Sequence, residues 1–369
     1  MTERCPETAT WIDWLEALTR IPTAAGREDR VIAWVTDWVE ARPDLRLERD
    51  GVGNLLIRRD SADAATEPPL WITAHLDHPA FVVERVLSPS RFQLTFRGGV
   101  GDPYFHRAVI RLVNGAGATV PARVTATRMV NGVRWCEAEL TQVPWMGVSP
   151  VEPGDIAVWE LPEPSWEQGV FHTNACDDLA GVAAALSALD ALRSDASVRH
   201  VGVFLTRAEE IGLIGAAAAG RAGGLPEDVR LLTLETARSY PDSPLGAGPI
   251  VRVGDRMGTF DRELTAAVAS VAADLAGADG GFRWQRKLMP GGTCEASVFT
   301  AYGYRATCVC LALGNYHNQA ELDRVEVEKP RQAAVGREYI HGDDYLGLVR
   351  LLIACGRGLG QAPSLRSRL

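Results

Sequence analysis

Residue types that commonly bind metal ions recur in this sequence at the ends of apolar runs. The set comprises His75 with Asp77, Asp177 with Asp178, Glu209 with Glu210, then Glu235, and finally His317. Imidazoles and carboxylates are common ligands of zinc and related divalent ions. Adjacent carboxylates such as Glu209 and Glu210, at the end of a buried strand, are unfavourable unless a cation lies beside them or one of them takes up a proton. The set therefore predicts a site for divalent metal ions.

Each cluster also has a simpler structural interpretation. Taken alone, His75 is compatible with an ordinary core histidine. The pair Asp177 and Asp178, taken alone, is compatible with capping of the helix that follows. Glu235 alone is compatible with an exposed carboxylate at a strand end. The metal site is favoured because all the clusters occur in one chain, and their coincidence is less frequent than any single one.

The elements that must position these residues begin with two helices. Apolar residues recur at helical spacing over residues 8–20 and 27–41. Residues 45–58 alternate around Asp50, Gly51 and Gly53, which predicts a hairpin, and residues 70–74 form a short apolar run typical of a buried strand. His75 therefore follows a strand directly.

The sequence pattern that predicts secondary structure changes twice further along the chain. Residues 81–161 show short strand-like runs between Gly, Pro and Asn turns, whereas helical and strand patterns alternate from residue 177 onward. We expect an α/β fold, a mostly parallel sheet with helices on both faces, plus an inserted all-β domain. The predicted domains are a catalytic α/β domain from residues 1–79 and 165–369, and a β-barrel-like domain from residues 80–164. Ligands bind at the carboxyl edge of such a sheet, where the clusters fall.

Composition narrows the classes of partner. The 369 residues include 38 Lys and Arg against 47 Asp and Glu, a net charge of -9, and no basic run with interleaved aromatics, so nucleic acid is not expected. No apolar run reaches the roughly 18 residues of a membrane span, and the first residues lack the pattern of an export signal, so we expect no membrane contact and a cytoplasmic location. The seven cysteines are scattered, as free thiols would be.

The order of the clusters, H-x-D, D-D, E-E, an acidic strand end and H, resembles the co-catalytic zinc exopeptidase clan. The glutamyl and tetrahedral aminopeptidase family within it, family 42 of the metallopeptidases, is similar in its flanking residues as well. AHLDHPAF resembles the family's AHMDEIGF, ACDDLAGV its ALDDRAGC, TRAEEIGLIGA its TVQEEVGLRGA, PLGAGPI its LGKGP, and the GGT at 291–293 its GGTD. The likeness extends over nearly the whole chain. The long separation of His75 from Asp177 matches this family, which inserts its β-domain between the first two ligand clusters.

The resemblance implies a role for each candidate residue. It implies two divalent metal ions, zinc first and cobalt as the alternative, holding a bridging water that attacks the peptide bond. His75 and Glu235 would bind one ion, Glu210 and His317 the other, and Asp177 both. Glu209 would be the general base, and Asp77 would orient His75. The resemblance also implies a cis peptide bond between Asp177 and Asp178, peptide substrates, and a homo-oligomer, either a dimer or a dodecamer.

Several positions depart from the family pattern. Glu235 stands where the family has Asp, His78-Pro79-Ala80 replaces its acidic residue, Ile and Gly, and Cys294-Glu295 interrupts its GGTD. We expect these changes to lie near the substrate, so side-chain specificity does not carry over. An aminopeptidase removing N-terminal residues is the first hypothesis, and a metal-dependent deacylase or carboxypeptidase of the same clan is the second. A noncatalytic protein keeping the fold is the third, although it would have no use for Glu209.

Overall fold

A computed structural model describes residues 6–142 and 150–368. Its helices are α1 (Pro6–Thr19), α2 (Asp29–Glu40), α3 (Leu179–Leu192), α4 (Ile214–Ala222), α5 (Arg262–Ala278), α6 (Glu295–Ala301), α7 (Leu322–Glu328) and α8 (Gly342–Gly358). None of the helices in these described ranges is both long and apolar enough to cross a membrane.

Strands before residue 165 are β1 (Leu45–Arg49), β2 (Leu55–Arg59), β3 (Leu70–His75), β4 (Ala80–Ser88), β5 (Arg91–Arg97), β6 (Val109–Val113), β7 (Thr119–Val130), β8 (Val133–Leu140) and β9 (Ile156–Trp159). Those that follow are β10 (Ser165–Glu167), β11 (Val170–Thr173), β12 (Val201–Thr206), β13 (Arg230–Arg238), β14 (Ile250–Asp255), β15 (Gly258–Thr259), β16 (Gln285–Leu288), β17 (Arg305–Leu313) and β18 (Glu338–His341). The predicted hairpin over residues 45–58 is present as the antiparallel pair β1 and β2.

Within the described residues the main sheet has nine strands in the order β1-β2-β12-β3-β13-β17-β14-β15, with β16 beside β14. Its central neighbours β12, β3, β13 and β17 are parallel, and the strands that flank them, β2 and β14, run antiparallel to them. The prediction of an α/β fold with a mostly parallel sheet is confirmed. A separate small sheet, β10-β11-β18, lies outside this one.

Helices cover both faces of the main sheet because its strands are apolar on both sides. Along β17, Val309 and Leu311 pack against the layer that contains α1, α3, α5 and α8. Their neighbours Cys308 and Cys310 point the other way and pack with α4 and α6. Both cysteines are therefore buried packing residues, and the six cysteines within the described residues are free thiols.

The strands β4 to β9 close into a barrel in the order β4-β5-β8-β7-β6-β9. Its core contains four aromatic rings, Phe81, Phe96, Phe105 and Trp159, whose centroids lie 4.8–5.9 Å apart. Such edge-to-face packing contributes beyond the buried area alone. The barrel falls inside residues 80–164, and the domain boundaries drawn from the sequence remain a prediction.

Candidate metal centre

The strand order brings the ligand clusters to one place. His75 is the last residue of β3, Glu235 lies in the second half of β13, and Glu209 and Glu210 follow β12. His317 follows β17 in a short turn. Because β12, β3, β13 and β17 are parallel neighbours, their carboxyl ends meet at one edge of the sheet, and side chains far apart in sequence converge there.

Asp177 lies between the two imidazoles. Its Oδ1 is 3.2 Å from His75 Nε2, and its Oδ2 is 3.2 Å from His317 Nε2. The residue precedes α3, and the peptide bond joining it to Asp178 is cis, as the resemblance implied. The side chain of Asp178 makes no capping hydrogen bond to α3, so the capping interpretation is wrong for this residue.

The remaining carboxylates flank this arrangement on both sides. Glu210 Oε1 lies 3.2 Å from His317 Nε2, and Glu235 Oε1 lies 3.8 Å from His75 Nε2. His75, Asp177 and Glu210 each offer one ligand atom, and these three atoms lie within 4.8 Å of one another. His75 thus lies beside Glu235, His317 lies beside Glu210, and both imidazoles lie beside Asp177.

Two observations show that these residues fit divalent cations. Among the described residues, the buried atoms Asp177 Oδ1 and Glu210 Oε1 have no hydrogen-bond partner, although both face the imidazoles. Burial disfavours a charge on His75 and on His317, yet the surrounding carboxylates outweigh burial and raise the pKa of each imidazole well above its usual value. The negative charge of the cluster therefore attracts protons in the metal-free protein, and metal ions satisfy the same demand.

Hydrogen bonds behind the imidazoles fix the direction of each ring. His75 Nδ1 lies 3.1 Å from the backbone oxygen of Asp77 and 3.5 Å from its carboxylate. His317 Nδ1 lies 2.8 Å from the backbone oxygen of Gly99. A carbonyl at Nδ1 holds the proton there and leaves Nε2 free as a metal ligand.

The carboxylate of Asp77 has a second contact that the sequence did not indicate. Its Oδ1 accepts the backbone N–H of Glu209 at 2.9 Å, and its Oδ2 accepts that of Glu210 at 3.0 Å. Asp77 is fully buried, so both bonds are shielded from water. It therefore holds the turn after β12 as well as contacting His75.

Glu209 differs from Glu210 in its contacts: among the described ion pairs, Glu210 makes one with His317 and Glu209 makes none with an imidazole. Glu209 lines a cavity of about 1080 Å³ together with Asp177, Glu210, Glu235 and His317. Burial and the nearby charges of Glu235 and Glu210 raise its pKa well above the usual value, although His75 opposes this. A half-buried carboxylate with a raised pKa beside an open cavity can accept and return a proton.

Two residues that the sequence did not mark as part of the site support it from behind. The buried carboxylate of Glu338 accepts the backbone N–H of Cys176 at 2.7 Å, of Asp177 at 3.1 Å and of His317 at 2.8 Å. Glu338 therefore ties the Asp177 segment to the His317 turn. No motif marks it, because its neighbours in β18 form no recognisable pattern.

His78 is the second supporting residue. It is buried, with Nδ1 2.6 Å from the backbone oxygen of Asp177 and Nε2 3.0 Å from Asn318 Oδ1. Its ring faces the backbone of the Asp177 segment, and the expectation that this departure from the family lies near substrate stays a prediction. His78 was visible in the sequence, but its contacts were not.

The walls of the cavity carry several groups that the ligand clusters did not predict. Tyr104, Arg252, Arg256 and Met289 line it, as do Gly291, Gly292 and Thr293 of the GGT segment. Cys294, the next residue, is buried, and the expectation that it lies near substrate stays a prediction. The cavity opens onto Glu209 and onto the imidazole of His317.

Comparison with known proteins places the chain among peptidases. The family profile described as M42 glutamyl aminopeptidase matches residues 141–329. No curated protein matches the sequence significantly.

Several solved structures resemble this chain over nearly its full length. The TET1 peptidase of Pyrococcus horikoshii, which assembles into a tetrahedron or a large octahedral shell, has 20% identity and a TM-score of 0.71, over 94% of this chain and 99% of that one. A TET aminopeptidase from a marine sediment Thaumarchaeota archaeon has 17% identity and a TM-score of 0.75, over 97% and 98%. An aminopeptidase from Desulfurococcus kamchatkensis has 19% identity and a TM-score of 0.73, over 97% and 99%. At these identities the likeness shows the fold.

Proposed function

Because this chain belongs to the M42 glutamyl aminopeptidase family and is a peptide hydrolase, we propose that it removes N-terminal residues from peptides using two divalent metal ions. The observation that carries the proposal is the position of Asp177, whose two carboxylate oxygens each lie 3.2 Å from a different imidazole. A carboxylate placed between two imidazoles could contact each of two adjacent ions.

The assignment of ligands follows the same contacts. His75 and Glu235 would hold one ion, Glu210 and His317 the other, and Asp177 would contact both. Imidazole with carboxylate suits zinc, with cobalt as the alternative. Bound there, the ions would polarise the peptide carbonyl and lower the pKa of a water placed between them.

The protein's own groups would carry the proton transfers. A carboxylate oxygen of Glu209 takes a proton from the attacking water and gives it to the departing amine nitrogen, which is general acid–base catalysis by one group. Asp77 keeps Glu209 facing the cavity through its backbone N–H. Glu235 is one methylene longer than the family's Asp, and it reaches His75 at 3.8 Å while also accepting the backbone N–H of Thr236.

Further aspects of the proposal concern the whole protein. We infer that residues 80–164 form an inserted domain and that the chain forms a homo-oligomer, a dimer or a dodecamer, since the fold is that of a peptidase that assembles into shells. We also infer peptide substrates and a cytoplasmic location. Size-exclusion chromatography with light scattering measures the oligomeric state directly.

A panel of fluorogenic amino-acid amides and N-acyl amino acids tests the activity. The metal-free protein is supplied with zinc or cobalt and assayed against both series, with a chelator-treated sample as the control. Hydrolysis of the amides, lost in chelator and restored by metal, supports the proposal. Hydrolysis of the N-acyl series alone would indicate a deacylase or carboxypeptidase, and undiminished activity in the chelator would refute the metal mechanism.

A further inference from the structure

The turn that carries His317 has an unusual backbone. We call residues 314–321 the His317 loop. Asn315, His317, Asn318 and Glu321 all have φ between 51° and 61°, the left-handed region that residues other than glycine rarely adopt. Such conformations persist only where surrounding contacts hold them in place.

Several of these contacts come from the barrel. The connection between β5 and β6, residues 98–108, crosses to the main sheet and lies against the His317 loop. Gly99 offers its backbone oxygen to His317 Nδ1 at 2.8 Å, and the Gly101 N–H donates to Gln319 Oε1 at 2.9 Å. The barrel connection therefore supplies the carbonyl that orients a proposed metal ligand.

Tyr104 contributes a side-chain contact at the far end of the same loop. Its ring is buried, with 1% of the residue exposed, and its hydroxyl donates to the backbone oxygen of Ala320 at 2.9 Å. The next residue back, Pro103, accepts the N–H of Ala333 at 2.9 Å. The barrel connection thus grips the chain after β17 both at the imidazole and three residues beyond it.

We propose that Tyr104 is a positioning residue for the metal site. Its hydroxyl fixes the His317 loop against the barrel connection, so that Gly99 meets Nδ1 and Nε2 points at Asp177 and Glu210. Release of the loop at Ala320 lets the imidazole turn away from those carboxylates, 3.2 Å away on each side. The inference rests on the proposed function, in which His317 binds an ion.

The structure offers a matched control in a second buried tyrosine. Tyr345 is fully buried, and its hydroxyl donates to the backbone oxygen of Trp11 at 3.0 Å, between α8 and α1. Tyr104→Phe and Tyr345→Phe therefore each remove one hydroxyl that donates to a backbone carbonyl. They differ in whether that carbonyl belongs to the His317 loop.

The experiment compares zinc affinity and loop mobility in the two variants. Zinc binding is measured by competition with a chromogenic chelator, without substrate, and hydrogen exchange by mass spectrometry on the metal-free proteins. We expect Tyr104→Phe to weaken the binding of one of the two zinc ions about fivefold, the scale of one lost hydrogen bond. Exchange in residues 314–321 should accelerate, and Tyr345→Phe should match the wild type in both measurements.

Three other outcomes would overturn one statement or another. Wild-type zinc affinity and wild-type exchange in Tyr104→Phe, or an equal loss in both variants, would overturn the positioning role. If the wild-type protein itself binds no zinc, the metal-centre proposal fails, and the role of Tyr104 as a positioning residue for a ligand fails with it.

Discussion

Glutamine at two adjacent positions, Glu209 and Glu210, separates proton transfer from metal binding. Asp77 holds both backbones in the same way, accepting one N–H on each carboxylate oxygen at 2.9 and 3.0 Å. Neither substitution touches these bonds, and each changes one carboxylate oxygen to an amide nitrogen. The two variants therefore differ only in what the two side chains face.

The expected magnitudes differ because of those surroundings. Glu210 Oε1 lies 3.2 Å from His317 Nε2, so Glu210→Gln removes a charged ligand. The affinity of the Glu210→Gln variant for metal should fall by more than roughly 10–100-fold, which is the typical cost of mutating a residue that hydrogen-bonds to a metal ligand. Glu209 lines the cavity but makes no described ion pair with an imidazole. Glu209→Gln should therefore keep its metal and lose about 10²–10⁴ in turnover, as for removal of a general base.

Elemental analysis after dialysis gives the metal content, and turnover is measured at saturating zinc with an amino-acid amide. The reasoning fails if Glu209→Gln keeps most of its turnover. It fails equally if Glu209→Gln loses metal while Glu210→Gln retains it, because the two roles would then be reversed.

Two further substitutions test buried carboxylates in the metal-free protein by urea denaturation. Asp77→Asn leaves one of two buried N–H donors unpaired and should lower the free energy of unfolding by about 1–3 kcal/mol; a loss below about 0.5 kcal/mol, the range of neutral surface changes, would contradict this. Burial raises the pKa of Glu295 to about 7. The stability that the protonated Glu295 contributes is therefore present below its unfolded pKa and is lost as the pH rises through 7. Between about pH 5 and pH 8 the free energy of unfolding of Glu295→Gln should therefore rise relative to that of the wild type by up to about 3 kcal/mol. Parallel stability curves for the two proteins would rule this out.

The sequence predicted the elements that repeat a simple pattern. The apolar run before His75 and the one before Glu209 became β3 and β12, since short apolar runs bounded by polar clusters are typical of strands in a parallel sheet. Residue chemistry marked the clusters, and the family resemblance selected five candidate ligands from them. The structure brings these five residues to one edge of the sheet, and their roles as ligands stay a prediction.

Other parts of the site depend on contacts that local sequence does not encode. Glu338 lies in the small sheet β10-β11-β18, whose strands have only three or four residues each, and those strands were not predicted. The strand β16 and the helices α6 and α7 were also missed, because they are short, and β14 was missed although five of its six residues are buried. The contact of Gly99 with His317 depends on how the barrel packs on the sheet. Such pairings are set by tertiary packing, which periodicity does not report.

The order of strands in the main sheet constrains how the chain reaches its native state during synthesis. The two hydrogen-bonded neighbours of β3 are β12 and β13, and both leave the ribosome only after the whole barrel has been made. Until then β3, whose six residues are all buried in the finished fold, presents two bare edges. A nascent chain that stops between the barrel and β12 therefore holds an aggregation-prone strand and, of the five candidate ligands, His75 with at most Asp177. The hairpin β1-β2 does not cover the edge of β3, because in the finished sheet β12 lies between β2 and β3.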